Sequence, residues 1–211
     1  PIDVPGAVAG WMTLHERFGK LPLEEVMALA IRYAEEGYPV TPNISRLWQE
    51  AFENYSKYRD RPEFQGWFDT FAPNNTWLKP GEMFRCPDMA KTLKEIAATK
   101  GESFYRGAIA EKIDAFFKKH NGFLTKEDLA AFKPEWVDPI SVNYHGVDVW
   151  ELPPNGHGIT VLMALQILKD MKLGERDCVD TMHKQIEAMK LAMVDTAQYV
   201  AEPSYMKVSV D

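Results

Sequence analysis

The chain holds 211 residues, 45% of them hydrophobic and 26% charged, with a formal net charge of −7. At this length a folded chain buries about 70% of the surface it exposes when unfolded. Its 13 glycines and 14 prolines are an ordinary share, and no run reaches the roughly 18 apolar residues of a membrane span, so collagen-like, disordered and membrane-spanning classes fall away. Carboxylates outnumber basic residues 31 to 24, and the basic residues are scattered, which argues against nucleic acid as a partner.

Length and composition predict one domain over residues 1–211. Cys86 and Cys178 lie far apart without metal or redox spacing, and neither a periplasmic nor a cytoplasmic compartment is selected. The start at Pro1, with no initiator Met, and the alternating end Val208-Ser209-Val210-Asp211 lead us to expect a segment cut from a longer protein.

Leu23, Val26, Met27, Ala30, Ile31 and Ala34 recur at steps of three and four, with Pro22 at the expected first helical position and Gly37 as the stop, which predicts an amphipathic helix. Trp48–Phe84 holds ten aromatic residues and only Leu78 among Ile, Leu and Val, interrupted by Pro62, Gly66, Pro73 and Pro80. A long irregular excursion packed by rings is expected there, with an aromatic binding platform as the alternative. Helical periodicity returns over residues 88–99 and again over 102–119, the latter predicted as one helix.

Thr125 and Asp128 have capping-box spacing before a short helix that ends at Phe132, ahead of Pro134. Between Pro139 and Leu152, alternating residues flank His145-Gly146 and predict a β-hairpin. Residues 159–168 are apolar nearly all round, as in a buried helix. Met182, Ile186, Met189, Met193 and Val200 form a one-sided stripe on a long last helix, expected to pack in the core. About seven helices and one hairpin result, a mostly α fold with a short β element.

Chemistry is sparse. His183 and Glu187 share a helix face, but that spacing alone fits surface pairing better than metal ligation. His15, His120 and His145 have no partners at motif spacing, and neither a phosphate-binding loop nor a serine-nucleophile elbow is present. No cofactor or metal is expected. One glycine-rich segment remains, Pro153-Pro154-Asn155-Gly156-His157-Gly158, directly before the buried helix. It is either a strand-to-helix turn with Asn155 as cap, or a loop whose glycines and free helix-start N–H groups receive an oxyanion or carboxylate.

From this loop outward, the chain resembles a known family over nearly its whole length. Val4-Pro5-Gly6-Ala7-Val8-Ala9-Gly10-Trp11, Phe18-Gly19-Lys20-Leu21-Pro22 and Ala34-Glu35-Glu36-Gly37-Tyr38-Pro39-Val40 look like the large subunit of γ-glutamyltransferases, also called glutathione hydrolases. Asp88-Met89-Ala90-Lys91-Thr92-Leu93, Phe104-Tyr105-Arg106-Gly107, Leu124–Leu129, Tyr144-His145-Gly146 and Pro153–Gly158 follow in the family's order.

The resemblance implies the helix-rich part of an αββα N-terminal-nucleophile hydrolase, made as a precursor that cleaves itself into a large and a small subunit. It implies a Thr nucleophile opening the small subunit, with its own amine as base, and a backbone oxyanion hole. That Thr, the oxyanion glycines, the substrate-binding serines and the Arg that grips the glutamyl carboxylate all fall outside these 211 residues. Thr181-Met182-His183 imitates the nucleophile motif but follows Asp180 inside a predicted helix, so no catalytic residue is assigned.

Asn155, Gly156, His157 and Gly158 are the substrate-loop candidates. They stand where familiar transpeptidases have Ser-Ser-Gly-Gly, which brings the loop nearer the family's amidohydrolase-like branch, including oxamate amidohydrolases. The family's Asp-Arg and Gly-Asp-Pro pattern survives only in part, as Asp195-Thr196 and Ala201-Glu202-Pro203. The implied partners are the small subunit of the same precursor and a γ-glutamyl or other small amide substrate. Strand edges left open near Val4 or Val208 are expected to invite a second copy.

Overall fold

The computed structural model describes residues 3–210, which fall into two compact units, Pro1–Pro134 and Glu135–Asp211. The first unit begins with α1 (Ala7–Phe18) and α2 (Leu23–Glu36), followed by β1 (Tyr38–Pro39), α3 (Pro42–Ser56), α4 (Gln65–Phe71) and β2 (Met83–Phe84). It continues through α5 (Pro87–Thr99), α6 (Glu102–Arg106), α7 (Ala108–Lys119) and α8 (Lys126–Ala131). Pro22 sits one residue before α2, at its cap position, and Gly37 ends the helix with φ +92°, a conformation that favours glycine.

α2 packs along α5, and an ion pair between Glu35 and Lys94 ties the two helices. Val8, Met27, Ile96, Tyr105, Ile109 and the fully buried Leu129 are central to the core of this unit. Tyr105 locks the entry to α1: its hydroxyl donates to the Pro5 carbonyl at 2.6 Å and accepts from the Ala9 N–H at 3.0 Å. Phe132 stacks on the Tyr105 ring, and a Cβ at Gly6 would lie 2.9 Å from the Phe132 ring, so a side chain there would have to displace that ring. The capping box of α8 is present as predicted, with Asp128 N–H donating to Thr125 Oγ1 and Thr125 N–H to the Asp128 carboxylate.

Two expectations for this unit change, and one strand pairing is added. The excursion over 48–84 is not irregular: it contains the second half of α3, a 3₁₀ turn and α4, started by Thr41 accepting from Ile44 N–H and by Pro42 in the first turn of α3. A two-residue antiparallel ladder, Tyr38 opposite Phe84 and Pro39 opposite Met83, ties its end back to the segment before α3, a pairing that no local pattern announced. Residues 102–119 form two helices instead of one. Gly107 breaks them at φ −136°, ψ −149°, and a Cβ there would lie 2.8 Å from the Ser103 backbone.

The ten rings of 48–84 pack on one another, with Trp48 on Phe84 at 4.8 Å, Tyr55 on Trp67 at 4.8 Å and the buried Phe68 at the centre. Each ring is buried or half-buried, so they present no exposed platform.

The second unit holds β3 (Ile140–Tyr144), β4 (Val147–Glu151), α9 (Gly158–Leu168) and α10 (Val179–Tyr199). That makes ten α-helices among the described residues against the seven expected, within the mostly α class predicted. β3 and β4 pair antiparallel with Val142 opposite Val149, and the turn uses positive φ at both His145 (51°) and Gly146 (86°), as a tight two-residue hairpin requires. Asn143 steadies it, accepting from Gly146 N–H at 3.1 Å and donating to Asp148 at 2.7 Å.

The hairpin lies on α9, and α9 packs on α10. The α10 stripe does not enter the core as expected. Thr181, Ala188, Ala192 and Thr196 are its buried residues, whereas Met182, Ile186, Met189 and Met193 are exposed. Small side chains let the α9 and α10 backbones approach closely, which leaves the bulky stripe on another side of the helix. Val4 and Val208 lie outside any strand; among the described residues β3 is hydrogen-bonded to β4 alone. No helix is long and apolar enough to cross a membrane.

Candidate substrate loop

The segment singled out in the sequence connects β4 to α9. Pro154 is buried and anchors it, Asn155, Gly156 and His157 are exposed, and Gly158 opens the helix. The cap position is His157, not Asn155, and no side chain caps it; the first turn closes through Thr160 N–H donating to the His157 carbonyl at 3.0 Å. An 11-residue helix therefore begins with its leading N–H groups beside a glycine-containing loop.

Glu151, the last residue of β4, folds over this start. A Cβ added at Gly158 would lie 2.5 Å from Glu151 Oε2 and 2.9 Å from Glu151 Cβ, so the strand and the helix meet this closely only because residue 158 has no side chain. α9 is held from behind by a buried hydroxyl pair, Thr160 Oγ1 to Thr196 Oγ1 at 2.7 Å, and Thr196 also donates to the Ala192 carbonyl at 2.8 Å. Thr196 thus serves as an internal brace between helices. A cavity of about 500 Å³ lies between β3 and α9, walled by Ile140, Val142, Ile159, Leu162, Met163 and Ile167, and no residue of the 153–158 loop lines it. It is mostly apolar, with Ser141, Gln166, Asp195 and Ser209 as its polar residues.

The remaining candidates are not gathered at this loop. Glu187 pairs with Lys190 at 2.8 Å, and the Lys190 hydrogen bond holds its carboxyl below the usual range, so His183 and Glu187 do not form a ligand pair. Among the described residues no group of three or more His, Cys, Asp or Glu is placed to hold a metal ion. Thr181 lies buried inside α10. Its neighbour Cys178 was not anticipated as a cap: its sulfur donates to Thr181 Oγ1 at 3.3 Å and accepts from Thr181 N–H at 3.5 Å. These contacts, the Thr181 side chain first, hold the thiol below its ordinary pKa. Sulfur at a cap is uncommon, and only its position three residues before Thr181 could have signalled it.

Known proteins supply the context for this loop. The chain is similar over its full length to cephalosporin acylase from Bacillus halodurans, at 53% identity and a TM-score of 0.97, and covers 39% of that chain. It is 32% identical to the glutathione hydrolase proenzyme of Pseudomonas aeruginosa over 98% of its own length and 36% of that protein. It is 29% identical to the oxamate amidohydrolase proenzyme of Klebsiella pneumoniae, over 99% of its length and 39% of that protein. The chain thus spans a little over one third of the relatives it matches. Since the profile of the gamma-glutamyltranspeptidase family matches residues 1–211 in full, the chain belongs to that family.

Proposed function

We propose that this chain is the central part of the large subunit of an amide-cleaving precursor, and that the mature protein cleaves γ-glutamyl amides, as in glutathione hydrolysis or transpeptidation. The observation that supports this reading is the match of the whole chain to one family whose named relatives are proenzymes of amide-cleaving enzymes. In the proposed reaction, a Thr exposed by autoprocessing beyond this segment attacks the substrate carbonyl through its hydroxyl. Its own amine takes the proton and returns it to the departing amine, leaving an ester that water or an acceptor amine then resolves. The segment contributes the exposed loop Asn155–Gly158 to the substrate site. On its own the segment has no nucleophile and is inactive.

A second reading, a small-amide hydrolase such as an oxamate amidohydrolase, is favoured by Asn155 and His157 in a loop where familiar transpeptidases carry Ser-Ser-Gly-Gly. An acylase reading is favoured by the 53% identity to the cephalosporin acylase. Side-by-side turnover of γ-glutamyl-p-nitroanilide and oxamate by the full-length protein decides between the first two. Dominant γ-glutamyl turnover supports the first reading, dominant oxamate turnover replaces it with the second, and turnover by the purified 211-residue chain contradicts both.

A further inference from the structure

α10 carries two seams where a surface helix carries one. The first is the small-residue face, Thr181, Ala188, Ala192 and Thr196, which is buried against α9. The second is Met182, Ile186, Met189 and Met193, at steps of four, three and four. At 3.6 residues per turn it is displaced by roughly a quarter of the circumference from the first and runs for about 16 Å.

Its four side chains are 49%, 56%, 38% and 59% exposed. The charged residues nearby are paired among themselves, Lys184 with Asp180 at 2.6 Å and Lys190 with Glu187 at 2.8 Å, so the seam itself is uncharged. A stripe of this regularity marks a helix face in contact with a neighbour. Contiguous exposed apolar surface on a soluble protein marks a contact surface.

Two facts select the neighbour. The relatives are longer: the chain spans 36% of the Pseudomonas aeruginosa proenzyme and 39% of the Bacillus halodurans acylase. The other unit also exposes the large apolar side chains Trp11 and Leu14 on α1. In relatives of that length the remaining polypeptide is more than about one and a half times as long as this segment, enough to supply a separate surface to the seam.

We propose that the Met182–Met193 seam is an interior contact, covered by an uncharged apolar surface of the polypeptide that the longer relatives carry beyond this stretch. Methionine suits such a late-closing contact, because its flexible thioether adapts to an irregular partner. The inference rests on the proenzyme reading.

Methionine oxidation footprinting by mass spectrometry tests it, on the 211-residue chain and on the full-length protein containing it. Met182 and Met193 are expected to oxidise on the order of tenfold more slowly in the full-length protein, while the buried Met27 stays slow in both. Equal rates for Met182 and Met193 in the two samples overturn the proposal. Protection that already exists in the isolated chain and grows with its concentration assigns the seam to a second copy and overturns it as well. Amide-cleaving activity is measured on the same samples: protection without activity supports the seam and rejects the enzyme reading, and activity without protection does the reverse.

Discussion

Replacing Thr196 by Val tests the brace that holds α9, and with it the loop, in place. Thr196 Oγ1 accepts from Thr160 at 2.7 Å and donates to the Ala192 carbonyl at 2.8 Å, and both threonines are buried, at 8% and 5% exposure for Thr160 and Thr196. In Thr196→Val the Thr160 hydroxyl loses its acceptor in an apolar setting, which costs about 1–3 kcal/mol. In Thr160→Val the Thr196 hydroxyl keeps Ala192 as its acceptor, so the loss is about 0.5–1.5 kcal/mol. In the double variant no hydroxyl is stranded, and replacing both partners by apolar groups of the same shape is nearly neutral. Urea denaturation of the four proteins forms a double-mutant cycle, with a predicted coupling of about 1.5–4.5 kcal/mol and the double variant more stable than Thr196→Val. Additive losses, with the double variant the least stable, would refute the brace.

Leu129 is fully buried in the first unit, so Leu129→Ala is expected to lower the unfolding free energy by about 2–5 kcal/mol in urea titration, and a loss under 1 kcal/mol contradicts that packing. Tyr105→Phe removes the donor to Pro5 and the acceptor for Ala9; amide exchange at Ala9 should accelerate by about tenfold, matching a loss of ~1.4 kcal/mol, while exchange at Ala192 stays unchanged. Asp128 has its carboxyl held below the usual range, first by the Thr125 hydroxyl and then by the Thr125 N–H. Because the folded pKa is depressed, the stabilisation is present above the unfolded pKa and lost as pH falls through the folded one. α8 should therefore loosen in acid, read by amide exchange from pH 5 down to pH 2, and Asp128→Asn should flatten that pH dependence; an unchanged profile contradicts the capping role.

What could be read in the sequence was local. The Thr125–Asp128 box needs only a hydroxyl and a carboxylate three residues apart, and the His145-Gly146 turn needs only two residues tolerant of positive φ between alternating strands. The Tyr38–Phe84 ladder joins residues far apart in the chain and leaves no periodic trace. Gly107 was passed over because its neighbours keep helical periodicity on both sides; the close approach of the Ser103 backbone, not the apolar pattern, ends α6. The methionines of α10 misled for a physical reason: periodicity identifies a stripe that wants a neighbour, but not whether that neighbour lies within the same segment. That residues 153–158 join a strand to a helix was legible from their prolines and glycines between an alternating and an apolar segment. The cap of that helix was not, since Glu151 folding over Gly158 is a contact between strand and helix.

The central claim is that these residues are part of a self-processing amide-cleaving precursor. N-terminal sequencing and intact mass of the purified full-length protein test it most directly. The account predicts two polypeptides, the larger containing residues 1–211 and the smaller beginning with Thr, with amide cleavage appearing only as the precursor is split. A single uncleaved polypeptide with full amide-cleaving activity would contradict it.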